Sequence, residues 1–372
     1  MKARLSKGLF YLLILPAVIA LGGWQGWSWW SWAIAPIQPE AVASGSDGET
    51  AIQVSIPSGT SGQQIGRDLE AAGLIKSTTA WNIWTRWRAF RDPSGGYQAG
   101  TYQLSPTQSL KTIADQVWVG DVVTEGFTIP EGWNRRQIAA ALEAEGFFPA
   151  QSFLTATETI PTEQFPWLPD TLPHLEGFLY PDTYQLPAEQ VTPKAVVALM
   201  LQRFEQVALP TYQAEARALN LVDWVTLSSI VEKESVVPDE RATIAGVFTN
   251  RLNQGIPLGA DPTVEYGLGV TQTPETPLTY AQVQTPNPYN TYINPGLPPT
   301  PIASPGKPSL EATLTPAATD YLYFVARYDG THVFSKTLAE HEAAQAQIRA
   351  EVEANAGQAQ GAEGQAGSSP DS

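Results

Sequence analysis

The 372-residue chain predicts an α+β protein: a single N-terminal transmembrane helix, a small α+β domain, then a larger α+β domain. Three observations lead there. An apolar run follows a few basic residues at the start of the chain. A strand–turn–helix pattern occurs twice, about seventy residues apart. Beyond it come helix-period segments, a proline-rich stretch with almost no helical period, and a hairpin before a closing helix.

Lys2, Arg4 and Lys7 precede an apolar run from Gly8 to about Trp24, and Trp24, Trp27, Trp29, Trp30 and Trp32 follow. Basic residues before the run place the N-terminus in the cytoplasm, and the tryptophans suit the far interface. With its aromatic end the run reaches the length of about 20 residues that a spanning helix needs. A cleaved signal peptide is the competing reading, but the bulky tryptophans stand where such a peptide wants small residues. Residues 1–35 therefore read as cytoplasmic tip and membrane anchor, with the rest extracytoplasmic. Residues 36–50 (PIQPEAVASGSDGET) read as a polar linker that lets the body stand off the membrane.

Residues 51–122 form the small domain. Ile56–Ile75 (IPSGTSGQQIGRDLEAAGLI) aligns without gaps on Ile129–Phe148 (IPEGWNRRQIAAALEAEGFF), pairing Ile65 with Ile138, Leu69 with Leu142 and Gly73 with Gly146. Each copy reads as a strand, a turn at Pro-x-Gly and an amphipathic helix ended by glycine. The pair is either a set of ligand-binding units or one packing block used twice. Trp81, Trp84 and Trp87 recur at helical spacing, a stripe expected to face the core.

Residues 123–352 form the larger domain. Glu176–Tyr184 (EGFLYPDTY) has a loop composition, and Lys194–Leu209 reads as a helix stopped by Pro210. On a helix over Leu221–Val236 (LVDWVTLSSIVEKESV), Trp224, Leu227, Ile230 and Val231 share one side, and Glu234 projects from the middle of that stripe. A carboxyl group on an apolar face tends to keep its proton, as a general acid must. The competing reading is a helix-end glutamate paired with a nearby arginine such as Arg241. Glu232 points elsewhere, toward solvent. A helix over Asp239–Gly255 follows. Ile256–Pro308, with twelve prolines, has almost no helical period; its tyrosines suit an ordered cleft wall. Tyr321–Ala326 and Thr331–Phe334 read as a hairpin around Asp329-Gly330, with His332 as a hairpin side chain. A helix from Leu338 to about Val352 closes the domain, and residues 353–372 read as a disordered low-complexity tail.

Composition narrows the chemistry. A net charge of -16 argues against non-specific binding to nucleic acid or to anionic membrane surfaces. The absence of cysteine excludes disulfides and thiol catalysis. His174, His332 and His341 lack metal-ligand spacing, and neither metal nor cofactor is expected.

The segments SIVEKES, ADPTVEYG, YNTY, GLPPTPIASPG and YLYFVA occur in that order. With them the chain resembles the endolytic murein transglycosylases, the YceG-like family, from about residue 50 to 345. The resemblance implies a LysM-like small domain and a YceG-like catalytic domain. It implies a single-pass protein of the bacterial inner membrane whose partners are peptidoglycan glycan strands and peptidoglycan synthases. The implied reaction is lytic cleavage of the MurNAc-β-1,4-GlcNAc bond, leaving a 1,6-anhydro-MurNAc end and terminating strand elongation. The family's catalytic glutamate matches Glu234. Asp261 and Thr263 of ADPTVEYG, with Tyr289, Asn290 and Tyr292 of YNTY, are candidate substrate-binding residues. For Asp261 the competing reading is a turn residue before Pro262. A non-catalytic peptidoglycan-binding scaffold is the alternative function. A hydrolase is a third, needing a second carboxylate opposite Glu234, for which Asp261 is the best candidate.

Overall fold

The structure, a computed structural model, describes residues 10–38, 51–188, 191–214, 219–273, 275–327 and 329–366. The expected cytoplasmic tip, most of the linker and the last residues of the tail lie outside the described residues. The fold is mixed α+β and divides into two compact units. One comprises Met1–Gly126 with Gln185–Val191, the other Phe127–Tyr184 with Thr192–Ser372.

In the first unit, α1 (Leu15–Ile34) is preceded by a π turn at Phe10–Ile14. Leu12–Ile34 is one helix long and apolar enough to cross a bilayer. Then come β1 (Ile52–Ile56), α2 (Gly62–Ala71), α3 (Thr78–Arg91), β2 (Gly100–Leu104) and α4 (Leu110–Val119). β1 and β2 pair antiparallel, Val54 opposite Tyr102. Ser61, Ser77 and Ser109 cap the three helices, each accepting from a backbone N–H of the first turn. Ile65, Leu69, Trp81, Tyr102, Leu110 and Ile113 form the core. Trp81 donates from Nε1 to the Gly62 carbonyl (2.8 Å).

Two expectations for this unit change. The tryptophan stripe does not face inward along its length: Trp81 is buried, Trp84 half-buried and Trp87 exposed. A straight 3.6-residue period carries every third residue steadily around the helix, so the stripe leaves the core by its third member. The segment after α1 does not begin as a free linker. Ala33 is fully buried (0 %) in the unit's core, with Trp30 and Ile34 against it. The N–H groups of Ile37 and Gln38 donate to the Pro106 carbonyl at 2.9 and 3.0 Å.

The repeat reappears as matched structure. α5 (Arg135–Ala144) has bounds 73 residues beyond those of α2 at both ends. Gly59 and Gly132 take φ of 83° and 76° in the two turns, and Gly73 and Gly146 take 70° and 84° after the two helices. These left-handed positions explain why glycine recurs there.

The second unit adds α6 (Ala150–Ala156), α7 (Pro193–Ala214), α8 (Leu221–Glu234), α9 (Arg241–Gln254), α10 (Asp261–Leu268), α11 (Tyr280–Val283), α12 (Lys307–Leu314), β5 (Tyr323–Ala326), β6 (His332–Ser335) and α13 (Leu338–Ala366). β3 (Thr124–Thr128) and β4 (Thr183–Pro187) form a two-stranded sheet, and the division between the units passes through both strands. β5 and β6 pair antiparallel, Phe324 opposite Phe334. The core around α8 gathers Leu227, Ile230 and Val231 with Ile244, Phe248, Leu258 and Ile302.

Three further expectations change here. α7 runs through Pro210, because Tyr212, beyond the expected stop, is buried and stacked on Trp224 at 4.9 Å. The proline-rich stretch contains a helix, α10, with Pro262 in its first turn, where the missing N–H costs no helical bond. α13 continues to Ala366, past the expected start of a disordered tail, through alanine, glutamate and glutamine, good helix formers that outnumber the poor formers Gly357, Gly361 and Gly364.

Candidate active site

α8 carries the central carboxyl group. Asn220 caps it, accepting from the Asp223 N–H (2.9 Å), and Trp224 donates from Nε1 to the Leu310 carbonyl (3.0 Å). Ser228 and Thr313 share a hydrogen bond of 2.6 Å across to α12. These contacts fix the rotation of α8, and Glu234 is its last residue. Ser235 then turns to extended backbone at φ -96°.

The Glu234 side chain is half-buried, its carboxyl enclosed by protein. Burial, then the negative charges of Asp261 and Glu265, push its pKa up to about 8; Arg251 and Lys233 offset part of that. Among the described residues no ion pair joins Glu234 to Arg241 or to any other base. At neutral pH the group is chiefly a carboxylic acid.

Asp261 and Glu265 stand one turn apart on α10. Asp261 accepts from the Tyr292 hydroxyl (2.7 Å), and Glu265 accepts from the Gln272 N–H (2.7 Å). A cleft of about 300 Å³ lies beside them, lined in part by Gly132, Asn134, Arg136, Lys233, Glu265 and Tyr266. Lys233 and Glu265 bring its wall to the neighbourhood of Glu234. The α5 start is held by reciprocal bonds between Asn134 and Gln137. Arg136 stacks over Tyr266 at 5.0 Å and donates to its carbonyl at 2.8 Å.

The structure thus gathers Glu234, Asp261 and Tyr292 in one place. Tyr289 lies nearby, against Tyr266 at 4.8 Å and hydrogen-bonded to Thr300 (2.9 Å). Thr263 and Asn290 lie deeper in the fold. Both are fully buried (0 %). Thr263 donates to the Ala260 carbonyl and bonds Thr291 (2.6 and 2.9 Å). Asn290 donates to the carbonyls of Val283 and Thr285 and accepts from the Tyr292 N–H (3.0 Å). Their engaged polar atoms hold α10 and the YNTY loop in register.

Four acidic residues act differently from, or beyond, the sequence reading. Glu232 is not solvent-facing: its Oε2 accepts from the Gly306 N–H (3.1 Å) and Ser309 hydroxyl (2.6 Å), closing the N-terminus of α12. Glu265 is the fourth residue after Asp261 in a motif already singled out, and that helical spacing is the signal that could have found it. Glu176 is fully buried in the EGFLYPDTY loop, accepting from the Arg135 N–H and the Tyr266 hydroxyl (both 2.9 Å). Burial pushes its pKa up to about 7, against the lowering effect of those bonds. Glu240 lies against His332, Oε2 to Nδ1 at 2.7 Å. Among the described residues no group of three or more His, Cys, Asp or Glu could hold a metal ion.

Comparison with known proteins places this arrangement in a class. Residues 54–347 match the YceG-like family. The chain is 33% identical over 313 residues to the endolytic murein transglycosylase of Bacillus subtilis, covering 80% of this chain and 85% of that protein. It is 29% identical over 341 residues to the protein of the same name from Streptococcus pneumoniae strain D39, covering 84% of this chain but only 60% of that longer one. The 2.6 Å crystal structure of a yceG-like protein from Listeria monocytogenes superposes with a TM-score of 0.52 at 31% identity, covering 78% of this chain and 98% of that one. The chain belongs to the YceG-like family.

Proposed function

We propose that the chain is a peptidoglycan lytic transglycosylase, a lyase of the EC 4.2.2 type, with Glu234 as its acid and base. The observation that carries this is the Glu234 carboxyl at the end of a buried helix, its pKa pushed up by burial and by Asp261 and Glu265, near a cleft that Lys233 and Glu265 line. The names of the Bacillus and Streptococcus relatives support the substrate class.

The chemistry needs one such group. Glu234 gives its proton to the glycosidic oxygen as the C1–O bond of N-acetylmuramic acid breaks. The resulting carboxylate takes the proton of the sugar's own 6-hydroxyl as that oxygen bonds to C1. The strand ends in 1,6-anhydro-MurNAc, no water is consumed, and the acid is regenerated. The intramolecular nucleophile gains from proximity. Asp261, Glu265 and Tyr292 supply polar contacts and negative potential for the cation-like ring.

In this reading α1 is an uncleaved anchor, supported by the burial of Ala33 in the small unit's core. The small unit is LysM-like and holds glycan, and synthases of the same strands are the working partners, so that cleavage terminates elongation. Asp261 and Glu265 also favour a second reading, a hydrolase with one of them as the second carboxylate. Mass spectrometry of digested peptidoglycan decides: anhydro ends support the lyase, whereas reducing ends, one water heavier, support the hydrolase. Glu234→Gln is expected to bind glycan and release nothing; full release by that variant overturns both.

A further inference from the structure

Outside the cleft, the most anomalous surface lies on α3. Trp81, Ala80 and Thr85 seat this helix on the core. Its other side exposes Ile83 (48 %), Trp87 (42 %) and Phe90 (85 %). Spacings of four and three residues put them on one stripe. A soluble surface rarely leaves a tryptophan, a phenylalanine and an isoleucine aligned in water.

The charge around the stripe is also out of character. The chain carries -16 overall, yet α3 (TTAWNIWTRWRAFR) holds three arginines and no acid. Arg88 reaches Asp115 at 3.6 Å. Among the described residues Arg86 and Arg91 have no carboxylate partner, and Arg91 lies over the Trp87 ring at 4.7 Å. A third observation is position: α1 packs against α3 through the end that carries Trp30, Ala33 and Ile34. The bonds of Ile37 and Gln38 to Pro106 keep that end in place.

We propose that the Ile83–Trp87–Phe90 stripe of α3 seats in the surface of an anionic phospholipid bilayer, with Arg86 and Arg91 on the headgroup phosphates. The occupant follows from the chemistry. Aromatic and branched apolar side chains rimmed by arginine suit the boundary between headgroups and acyl chains, and cations there favour anionic lipid. Continuity with α1 brings the stripe to the bilayer that α1 crosses, so the inference rests on the anchoring reading.

The chain has no cysteine, so one introduced residue is the only thiol to label. Full-length variants Phe90→Cys, Ile83→Cys, Val18→Cys in α1 and Gln63→Cys on the exposed face of α2 are spin-labelled and reconstituted in phosphatidylcholine vesicles with or without phosphatidylglycerol. Collision with oxygen and with a water-soluble nickel chelate reports depth. With phosphatidylglycerol, labels at 83 and 90 are expected to favour oxygen by about fivefold over position 63. That preference is expected to fall at least about threefold without the anionic lipid, or on adding Arg86→Glu and Arg91→Glu. Water-like values at 83 and 90 with lipid-like values at 18 overturn the inference and leave the anchor standing. Water-like values at 18 overturn the anchoring reading itself. Lipid-like values at 83 and 90 in both vesicle types overturn the charge selectivity, and shielding from both quenchers, the mark of a protein partner, overturns the lipid surface.

Discussion

Glu234 sets the behaviour expected at the residue scale. In the proposed mechanism its protonated form begins the reaction, so activity is expected to hold through neutral pH and fall as pH rises through about 8. Asp261 raises that pKa, so Asp261→Asn is expected to move the alkaline limb of the rate profile to lower pH, whatever it does to the maximum. A limb that stays put would remove Asp261 from the electrostatics of the acid. Stability carries the same signature. The folded pKa lies above a glutamate's ordinary 4.5, so the folded state holds more protons between those values and loses stability as pH rises from about 4.5 to 8. Glu234→Gln escapes this loss and is expected to gain on the order of 2 kcal/mol over wild type at pH 9. At pH 4 the gain should vanish, and denaturant melts at the two pH values check it. This carboxyl was legible from sequence because an acid on an apolar stripe is a local contradiction. Glu176 was not: its burial depends on Tyr266 and the Arg135 backbone, remote in sequence. Glu232 looked solvated because a helical period says which way a side chain points, not what folds over it.

Elements hold the site through loops. Glu232 fastens the end of the proline-rich segment to α8, receiving bonds from Gly306 and Ser309. Glu232→Ala is expected to cost about 1–3 kcal/mol and to lower kcat as α12 loses its tether, with Glu234 untouched. Loss of stability with kcat intact would confine Glu232 to packing. Gly177 is a second fastening point. Its φ is +83°, and a Cβ there would meet the Pro301 ring and Val225. Gly177→Ala is therefore expected to destabilise by roughly 2–4 kcal/mol and to displace Glu176 from Tyr266, a change visible in unfolding curves. The repeat, the hairpin and α8 were legible because each states its period or turn within a few residues. α10 was not, because proline and glycine on either side hid an eight-residue helix that starts at Asp261. Thr263 and Asn290 were chosen for motif membership alone, which cannot separate residues that touch a ligand from residues that hold a loop.

On the scale of the molecule, the apolar N-terminal segment does more than its hydropathy announces. Trp30, Ala33 and Ile34 complete the small unit's core. A chain beginning at Pro36 is expected to lower the melting midpoint of that unit, by an amount corresponding to about 2–4 kcal/mol, while the larger unit melts unchanged. Calorimetry in mild detergent, against a chain beginning at Leu15, checks it. The two-domain α+β plan was legible in the sequence, and the interleaving of the units was not. The small unit was expected to end near residue 122, whereas Gln185–Val191 also belong to it. No local pattern announces that a chain will return to an earlier unit.

That return bears on how the protein is made. The small unit is not continuous in the chain, since residues 127–184 of the larger unit lie between its two parts. A chain delivered from its N-terminus cannot complete the first unit when residue 126 emerges. It must wait until Val191 has followed, with part of the second unit already out and its apolar side chains uncovered. At about 5–20 residues per second, that leaves a window of several seconds in which chaperones or unwanted association could intervene. Moving Gln185–Val191 away by a long insertion would lengthen the window without removing a native contact, and so would separate yield from stability.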